Sequence, residues 1–402
     1  MKVLLTLFDI QDYGGIVGDI EFLIRGLREN DYEADLILLR DTTKPVYTKQ
    51  LKYKQGSYQS NSGVGHVHTL DGWSGIPVWS FHTEQHVQEY HQFAKAYDLI
   101  IHEIPNPPQT GAWREIYDIN TPQVIAAHDA HYRRAYPYIA EIAHLVRGIS
   151  CTNHAGYVAL AEFPGPRAFI GAAHEVMDWP LLPTWRERKK QAVCAHVWKN
   201  WKHMDRVVAA APYLLDSSLI MAGDGIERRY MASLTKCKPK YIGLWQTFNE
   251  CSWAEYAGML PYEELFATYQ NSRVMVDMSY SDKFASLGNH FNRSIIEAFN
   301  NGCVSICTDM NMRENTPQVP LFEKDETHIE VPYDITPEDL ADVIDDTVNM
   351  PAKRANRIIE NGREILLKYF NYEDVWEEYF KLARGEPAGI YPVLEVGKQP
   401  CK

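Results

Sequence analysis

Short unbroken apolar runs alternate along this chain with longer stretches in which apolar residues recur every three or four positions. Lys2 to Phe8 (KVLLTLF), Ala34 to Leu39, Pro77 to Phe81, Asp98 to His102, Gln123 to Ala127 (QVIAA), Val146 to Ser150 and Ala168 to Ile170 are runs of the first kind. Runs like these predict strands buried on both faces, as in a parallel sheet. After the first, Gly14-Gly15 open a stretch with Ile20, Leu23, Ile24 and Leu27 at helical spacing, and a second helix is predicted near Glu84 to Ala96. Strand, Gly turn, helix and strand in that order begin a doubly wound α/β sheet. The turn lacks the full GxGxxG spacing, so no dinucleotide fingerprint is supported.

The pattern restarts in the second half. MDWPLLPTWRERKK, residues 177–190, carries Pro180 and Pro183 and reads as a linker. A strand from Ala192 to Val197 follows, then a helix beginning after Lys202, then a strand from Ser218 to Ala222 that runs into Gly223-Asp224-Gly225. Tyr241-Ile242-Gly243 reads as a short strand end, Leu260 to Leu265 as a helix start and Arg273 to Met278 as a strand. Ser286 to Asp309 then gives a polar turn, a helix bearing Ile295, Ile296, Ala298 and Phe299, a stop at Gly302 and a buried strand from Cys303 to Cys307. Helices are predicted over 338–350 and 352–370, and Tyr372 to Ala383 forms a strongly amphipathic last helix. The expected organisation is a first domain at 1–180, a second at 181–370, and a segment 371–402 whose helix returns to the first domain before a loose tail.

Composition narrows the class without changing that picture. The 402 residues exceed one ordinary core, and 45% hydrophobic with 23% charged residues is a globular balance. No run approaches a membrane span, and residues 1–8 are too short for a secretory signal. The seven cysteines include no CxxC pair, which fits reduced, buried thiols in a cytoplasmic protein. A net charge of −13 argues against a general nucleic-acid coat while leaving room for a local basic groove.

Three places carry candidate chemistry. A polar turn entering a helix, as at Ser286 to Ser294, is a natural anion site, because the first amides of a helix lack partners and its dipole is positive there. Glu297 lies about one turn further in; an ordinary surface Glu explains it equally well. His128-Asp129 follow the Gln123 to Ala127 strand, and polar groups at the carboxyl end of a parallel strand face the ligand crevice. That pair could take a proton or stabilise a developing cation, with Arg133 and Arg134 just beyond to hold a phosphate. Residues 42–70 hold Lys44, Lys49, Lys52 and Lys54 among Tyr47, Tyr53 and Tyr58, a pattern that suits phosphate contacts and base stacking. A solvated hairpin kept soluble by lysines is the plainer alternative.

The stretch from Asn289 to Glu297 resembles the donor-sugar motif of retaining GT-B glycosyltransferases, in a GT4-like order of second-half elements. Glu297 matches the second Glu of that motif and Phe291 its aromatic, while Asn289 stands where the first Glu would be. Lys202 matches a basic-turn Lys, whereas the partner Arg is missing and Lys199 or Arg293 is the available substitute. Within these enzymes the chain is most similar to bacteriophage DNA α-glucosyltransferases acting on 5-hydroxymethylcytosine. That likeness rests on His128-Asp129, on Trp201-Lys202 with His203 in place of a Gly, and on the basic loop before Gly75-Ile76-Pro77-Val78.

The resemblance implies two Rossmann-like domains facing across a cleft and retaining transfer from a UDP-sugar. It implies that Gly14, Gly15, Lys202, Gly223, Asn289, Asn292, Arg293, Ser294 and Glu297 bind the donor. His128 and Asp129 would be catalytic, and Lys49, Lys52, Lys54, Arg133 and Arg134 would meet double-stranded DNA bearing a hydroxymethylated base. No metal and no cofactor beyond the donor substrate are implied, and the setting would be the cytoplasm of an infected bacterium. The alternatives are a GT-B enzyme acting on a lipid-linked or surface glycan, and a GT-B scaffold that binds without catalysis.

Overall fold

A computed structural model describes residues 1–7, 15–40, 53–55, 66–70, 77–82, 87–104, 114–127, 141–151, 163–177, 183–196, 198, 202–225, 228, 239–279, 293–308 and 322–390. The chain forms two compact units, one made of Met1–Glu175 with Tyr369–Lys402, the other of Val176–Lys368. Each is built on its own sheet.

The first sheet contains β1 (Lys2–Leu7), β2 (Glu33–Arg40), β3 (Tyr53–Gln55), β4 (His66–Leu70), β5 (Pro77–His82), β6 (Leu99–Ile104), β7 (Gln123–Ala127), β8 (Gly148–Cys151) and β9 (Arg167–Phe169). Their order is β3-β4-β5-β2-β1-β6-β7-β8-β9. From β5 to β9 every pair is parallel, and only β3–β4 and β4–β5 are antiparallel. Helix α1 (Gly15–Glu29) crosses from β1 to β2 and buries Ile20, Leu23, Ile24 and Leu27, the single stripe its spacing predicts. Helix α2 (Val87–Ala94) leads into β6. At the far edge, the Ile390 N–H donates to Phe169 O at 2.7 Å, so the chain beyond its last helix lies along β9.

The second sheet has β10 (Lys189–Ala195), β11 (Ser218–Ala222), β12 (Ala254–Gly258), β13 (Ser272–Asp277), β14 (Val304–Thr308) and β15 (Ile329–Val331). The order is β12-β11-β10-β13-β14-β15, parallel throughout. Its connecting helices are α3 (Met204–Ala210), α4 (Pro239–Glu250), α5 (Tyr262–Asn271), α6 (Arg293–Asn300), α7 (Pro337–Val348) and α8 (Ala352–Tyr369). The order reverses at β10: β11 lies on one side, β13 on the other. In an open parallel sheet that reversal leaves a crevice at the carboxyl ends of the two diverging strands.

Two sequence expectations are corrected. Tyr241-Ile242-Gly243 lies inside helix α4, and the strand that ends in glycine is β12, closing on Gly258. A short apolar triplet cannot distinguish helix from strand by itself. The stretch read as a linker to residue 190 is packed from Trp185 onward. Trp185 is buried with its Nε1 donating to Met350 O at 3.1 Å, and β10 already begins at Lys189.

Helix α9 (Tyr372–Arg384) starts at Asn371, whose side chain accepts from Glu373 N, and stops at Gly385. It packs on α1 within the first unit. Trp376 and Phe380 meet the Tyr32 ring at 4.9 and 5.2 Å, and Tyr372 Oη donates to Glu29 Oε2 at 2.6 Å. The helices come so close that a Cβ on Gly26 would sit 2.0 Å from Tyr372 O. Alanine in place of Gly26 gains helix propensity of about 1 kcal/mol but must displace backbone, an overpacking cost of about 3 kcal/mol at the upper end. Gly26→Ala is therefore expected to destabilise the first unit by about 2 kcal/mol in urea unfolding. An unchanged midpoint would show that these helices do not touch at this point.

Candidate functional site

The residues that gather around the β10/β13 reversal are polar side chains at the ends of otherwise apolar strands. His196 directly follows β10 and Asp277 ends β13, both buried. Each follows a run long enough to be held inside the sheet, so the next side chain is fixed at the mouth of the crevice. His196 Nε2 lies 3.5 Å from Asp277 Oδ1, and His196 Nδ1 lies 3.3 Å from Ser294 Oγ. Ser294 is the second residue of α6, so the first amides of that helix, which no carbonyl within the helix can reach, lie beside it.

Charge fixes the protonation of this chain of groups. Burial pushes the His196 imidazole down to about 4, Asp277 pulling against it and Lys202 pushing with it. Burial alone would raise the Asp277 carboxyl, but His196, Lys202 and the Ser279 N–H, at 2.8 Å from Oδ1, hold it below its ordinary value. At neutral pH the pair is a neutral imidazole and a carboxylate. The tautomer that suits both neighbours carries its proton on Nε2, toward Asp277, and accepts at Nδ1 from the Ser294 hydroxyl. At 3.5 Å the Nε2 contact is long, and Nε2 makes no hydrogen bond among the described residues.

A second polar corner adjoins it. Gly223 follows β11 with φ +106°, and a Cβ there would stand 1.9 Å from His196 O, so only glycine fits between the two strand ends. Asp224 Oδ1 accepts from Gly225 N at 2.7 Å and from Arg228 Nε at 2.8 Å. Arg228 lies over the Tyr256 ring at 4.9 Å, and Tyr256 Oη donates to Gly223 O at 2.9 Å. Trp198 is fully buried behind this corner, edge-on to Tyr256 and Trp245.

The carboxyl end of α6 is anchored by two buried guanidinium groups. Arg188 Nη1 donates to Asn301 O and Gly302 O, both at 2.7 Å. Arg363 Nη1 donates to Asn300 O at 2.8 Å. The last carbonyls of a helix need donors and favour cations.

Of the sequence candidates, Lys202, Gly223, Arg293, Ser294 and Glu297 all belong to this second unit. Arg293 Nε donates to Glu297 Oε1 at 2.8 Å, a pair along one face of α6. Lys202 is half-buried, and its charge is felt at both His196 and Asp277. His203, standing where the resembled enzymes have a glycine, takes a left-handed conformation with φ 46° and ψ 39°, the geometry that a Gly there supplies without strain. Gly15 opens α1 and Lys54 lies in β3. Gly14, Lys49, Lys52, His128, Asp129, Arg133, Arg134, Asn289 and Asn292 lie outside the described residues. Sequence reading passed over His196, Asp277 and Arg228. The signal that singled out His128, a polar residue ending an apolar strand, applies equally to His196 and Asp277. Among the described residues, no group of three or more His, Cys, Asp or Glu side chains could hold a metal, and no helix is long and apolar enough to cross a membrane.

Residues 228–381 match a family model described as glycosyl transferase-like. No curated protein matches the chain in sequence. Among solved structures, an α-glucosyltransferase in complex with UDP-glucose and DNA containing an abasic site superimposes with TM-score 0.66 at 11% identity, over 95% of this chain and 99% of that one. HepE of Anabaena in complex with UDP gives 0.65 at 14%, over 95% and 99%. A TarM mutant of S. aureus with Fondaparinux, alpha-GlcNAc-glycerol and UDP gives 0.62 at 11%, over 95% and 99%. The fold they share with this chain is GT-B, two Rossmann-like domains in one polypeptide.

The buried histidines give the stability a pH dependence. His102, which bonds Thr6 and Gln123 in the first unit, is pushed to about 4 by burial, as are His196 and His328 in the second. The unfolded chain takes up these protons near 6.5 while the folded one refuses them until about 4, so stability is full above 6.5 and declines as pH falls between the two values. By pH 5 each costs roughly 2 kcal/mol. Urea unfolding at pH 7.5 and pH 5 is expected to weaken the second unit by about twice as much as the first. Equal stability at both values would contradict the neutral assignment.

Proposed function

We propose that the chain is a retaining glycosyltransferase that moves a sugar from a UDP-sugar onto a hydroxymethylated pyrimidine in DNA. The observation that carries the donor half is the meeting of the α6 amides, Ser294, Lys202 and the Gly223 turn at the point where the strand order reverses. A diphosphate suits the first N–H groups of a helix together with a nearby cation, and the start of α6 with Lys202 supports that reading. The glycosyl transferase-like match over 228–381, and neighbours holding UDP or UDP-glucose, support the same reading.

In this mechanism Glu297 takes the ribose hydroxyls, with Arg293 fixing its carboxylate, and Asn289 and Asn292 serve the sugar and diphosphate. The bond from the anomeric carbon to the phosphate oxygen breaks, and the acceptor oxygen bonds to that carbon on the same face. The acceptor proton passes to the departing diphosphate. The charge gained by that leaving group is matched by Lys202 and the α6 dipole, which are in place before the reaction and need no reorganisation. His128 and Asp129 serve the anomeric carbon and the incoming hydroxyl. Gly14-Gly15 give close backbone approach, while Lys49, Lys52, Lys54, Arg133 and Arg134 serve the DNA phosphates.

The DNA half rests on narrower support: the His128-Asp129 segment, the basic stretch 42–70, and a neighbour whose structure contains DNA. A glycan acceptor is the second reading, favoured by the comparable likeness to TarM, whose structure contains alpha-GlcNAc-glycerol.

Incubation of the protein with labelled UDP-sugars and 5-hydroxymethylcytosine DNA, followed by nucleoside mass spectrometry, is expected to show one sugar mass on the hydroxymethylated nucleoside only. Donor hydrolysis without labelled DNA would discard this acceptor and retain the enzyme. Glu297→Gln removes a charged acceptor worth about 1.5–3 kcal/mol, so KM for the donor should rise roughly tenfold to a hundredfold. Wild-type turnover at low donor concentration in that variant would overturn the donor assignment.

A further inference from the structure

The His196–Asp277 pair sets a loosely held buried imidazole beside a carboxylate at the strand-order reversal; His328, also loosely held beside Glu330, stands next to β15 instead. His102 shows the contrast: both its ring nitrogens are satisfied, Nδ1 by Thr6 Oγ1 at 2.7 Å and Nε2 by Gln123 Oε1 at 2.8 Å. His196 instead has a loose contact on each side, 3.3 Å to Ser294 and 3.5 Å to Asp277, in a side chain only 3% exposed. A buried imidazole with a carboxylate facing one nitrogen is ready to accept a proton and lacks only the charge that would make it favourable.

We infer that His196 takes up a proton when the nucleotide-sugar diphosphate docks at the start of α6 and releases it when the diphosphate leaves. The inference rests on the donor reading above and adds to it a residue that reading does not use.

The electrostatic balance gives the reason. In the ligand-free protein, burial and Lys202 oppose a charge on His196 and Asp277 favours it. Among the described residues, Arg293 pairs with Glu297 on α6, and Arg228 with Asp224 beyond β11. A diphosphate beside Ser294 and Lys202 takes up the lysine's field and adds negative charge on the Nδ1 side. The imidazolium then donates from Nδ1 toward Ser294 Oγ or the ligand, and from Nε2 to Asp277. The Ser294 hydroxyl, freed from donating to Nδ1, turns its proton to the phosphate. Each group changes direction once and none is left without a partner. His196 is then a positioning residue that supplies the leaving group with a positive charge present only while it is bound.

The test is calorimetric titration with UDP-glucose, whose diphosphate is fully ionised and does not titrate between pH 5 and 8. Run at pH 6 in phosphate and in imidazole buffer, the difference in heat counts the protons taken up. If His196 returns to the ordinary value near 6.5, about three-quarters of a proton per UDP-glucose is expected at pH 6, falling toward zero at pH 8. His196→Asn, which keeps a polar atom toward Ser294, should bind with almost no uptake, and Asp277→Asn should lower it. No uptake by the wild-type protein overturns the inference whether or not the variants fold, as does equal uptake by His196→Asn. If UDP-glucose does not bind at all, the donor reading itself fails and the inference falls with it.

Discussion

The constraint on which the second unit depends is the satisfaction of backbone carbonyls at the carboxyl end of α6. That end is buried against β13 and β14, out of reach of water, so the carbonyls of Asn300, Asn301 and Gly302 need protein donors. Arg188, five residues after Pro183 and within the stretch that reads as a linker in the sequence, supplies two of those bonds, and Arg363 from α8 supplies the third. The Asn301 side chain folds back onto Glu297 O at 2.8 Å, and Asn300 Oδ1 receives Met177 N at 2.8 Å. A helix held so firmly at one end presents its other end at a fixed place, which is what a site made of amides requires. Burying guanidinium groups is costly, and burial lowers the Arg188 pKa. The cost is met because they hydrogen-bond at the negative end of a helix dipole.

The other half of the site follows from sheet topology. Parallel strands buried on both faces must be apolar along their length, so the first place a polar side chain can stand is just past the carboxyl end. His196 and Asp277 stand there on the two strands that diverge at the reversal, and Gly223 lets the neighbouring turn close over His196 O. Fold and chemistry are therefore tied to the same few strand ends.

Much of this architecture was legible in the chain. Apolar runs announce the strands, and the Ile20, Leu23, Ile24, Leu27 stripe announces α1, because burial on both faces or on one leaves a periodic trace. Tyr241-Ile242-Gly243 misled because three residues carry no period. Trp185 and Arg188 were hidden because the prolines before them suggested a free segment, whereas their packing depends on Met350 and Asn301, far away in sequence. Of the candidate site, Lys202, Gly223, Ser294 and Glu297 stood out through their likeness to a family motif. Asp277 and His196 did not, since their meaning comes from the adjacency of β10 and β13, and adjacency of strands is not written in either strand.

The edges of the first sheet bear on a different matter, solubility. One edge, β9, is covered by the chain's own return at Gly389 and Ile390, so its backbone groups are occupied. Among the described residues the other edge is β3, only three residues long, and so short a border strand gives the sheets of two molecules little backbone along which to join side by side.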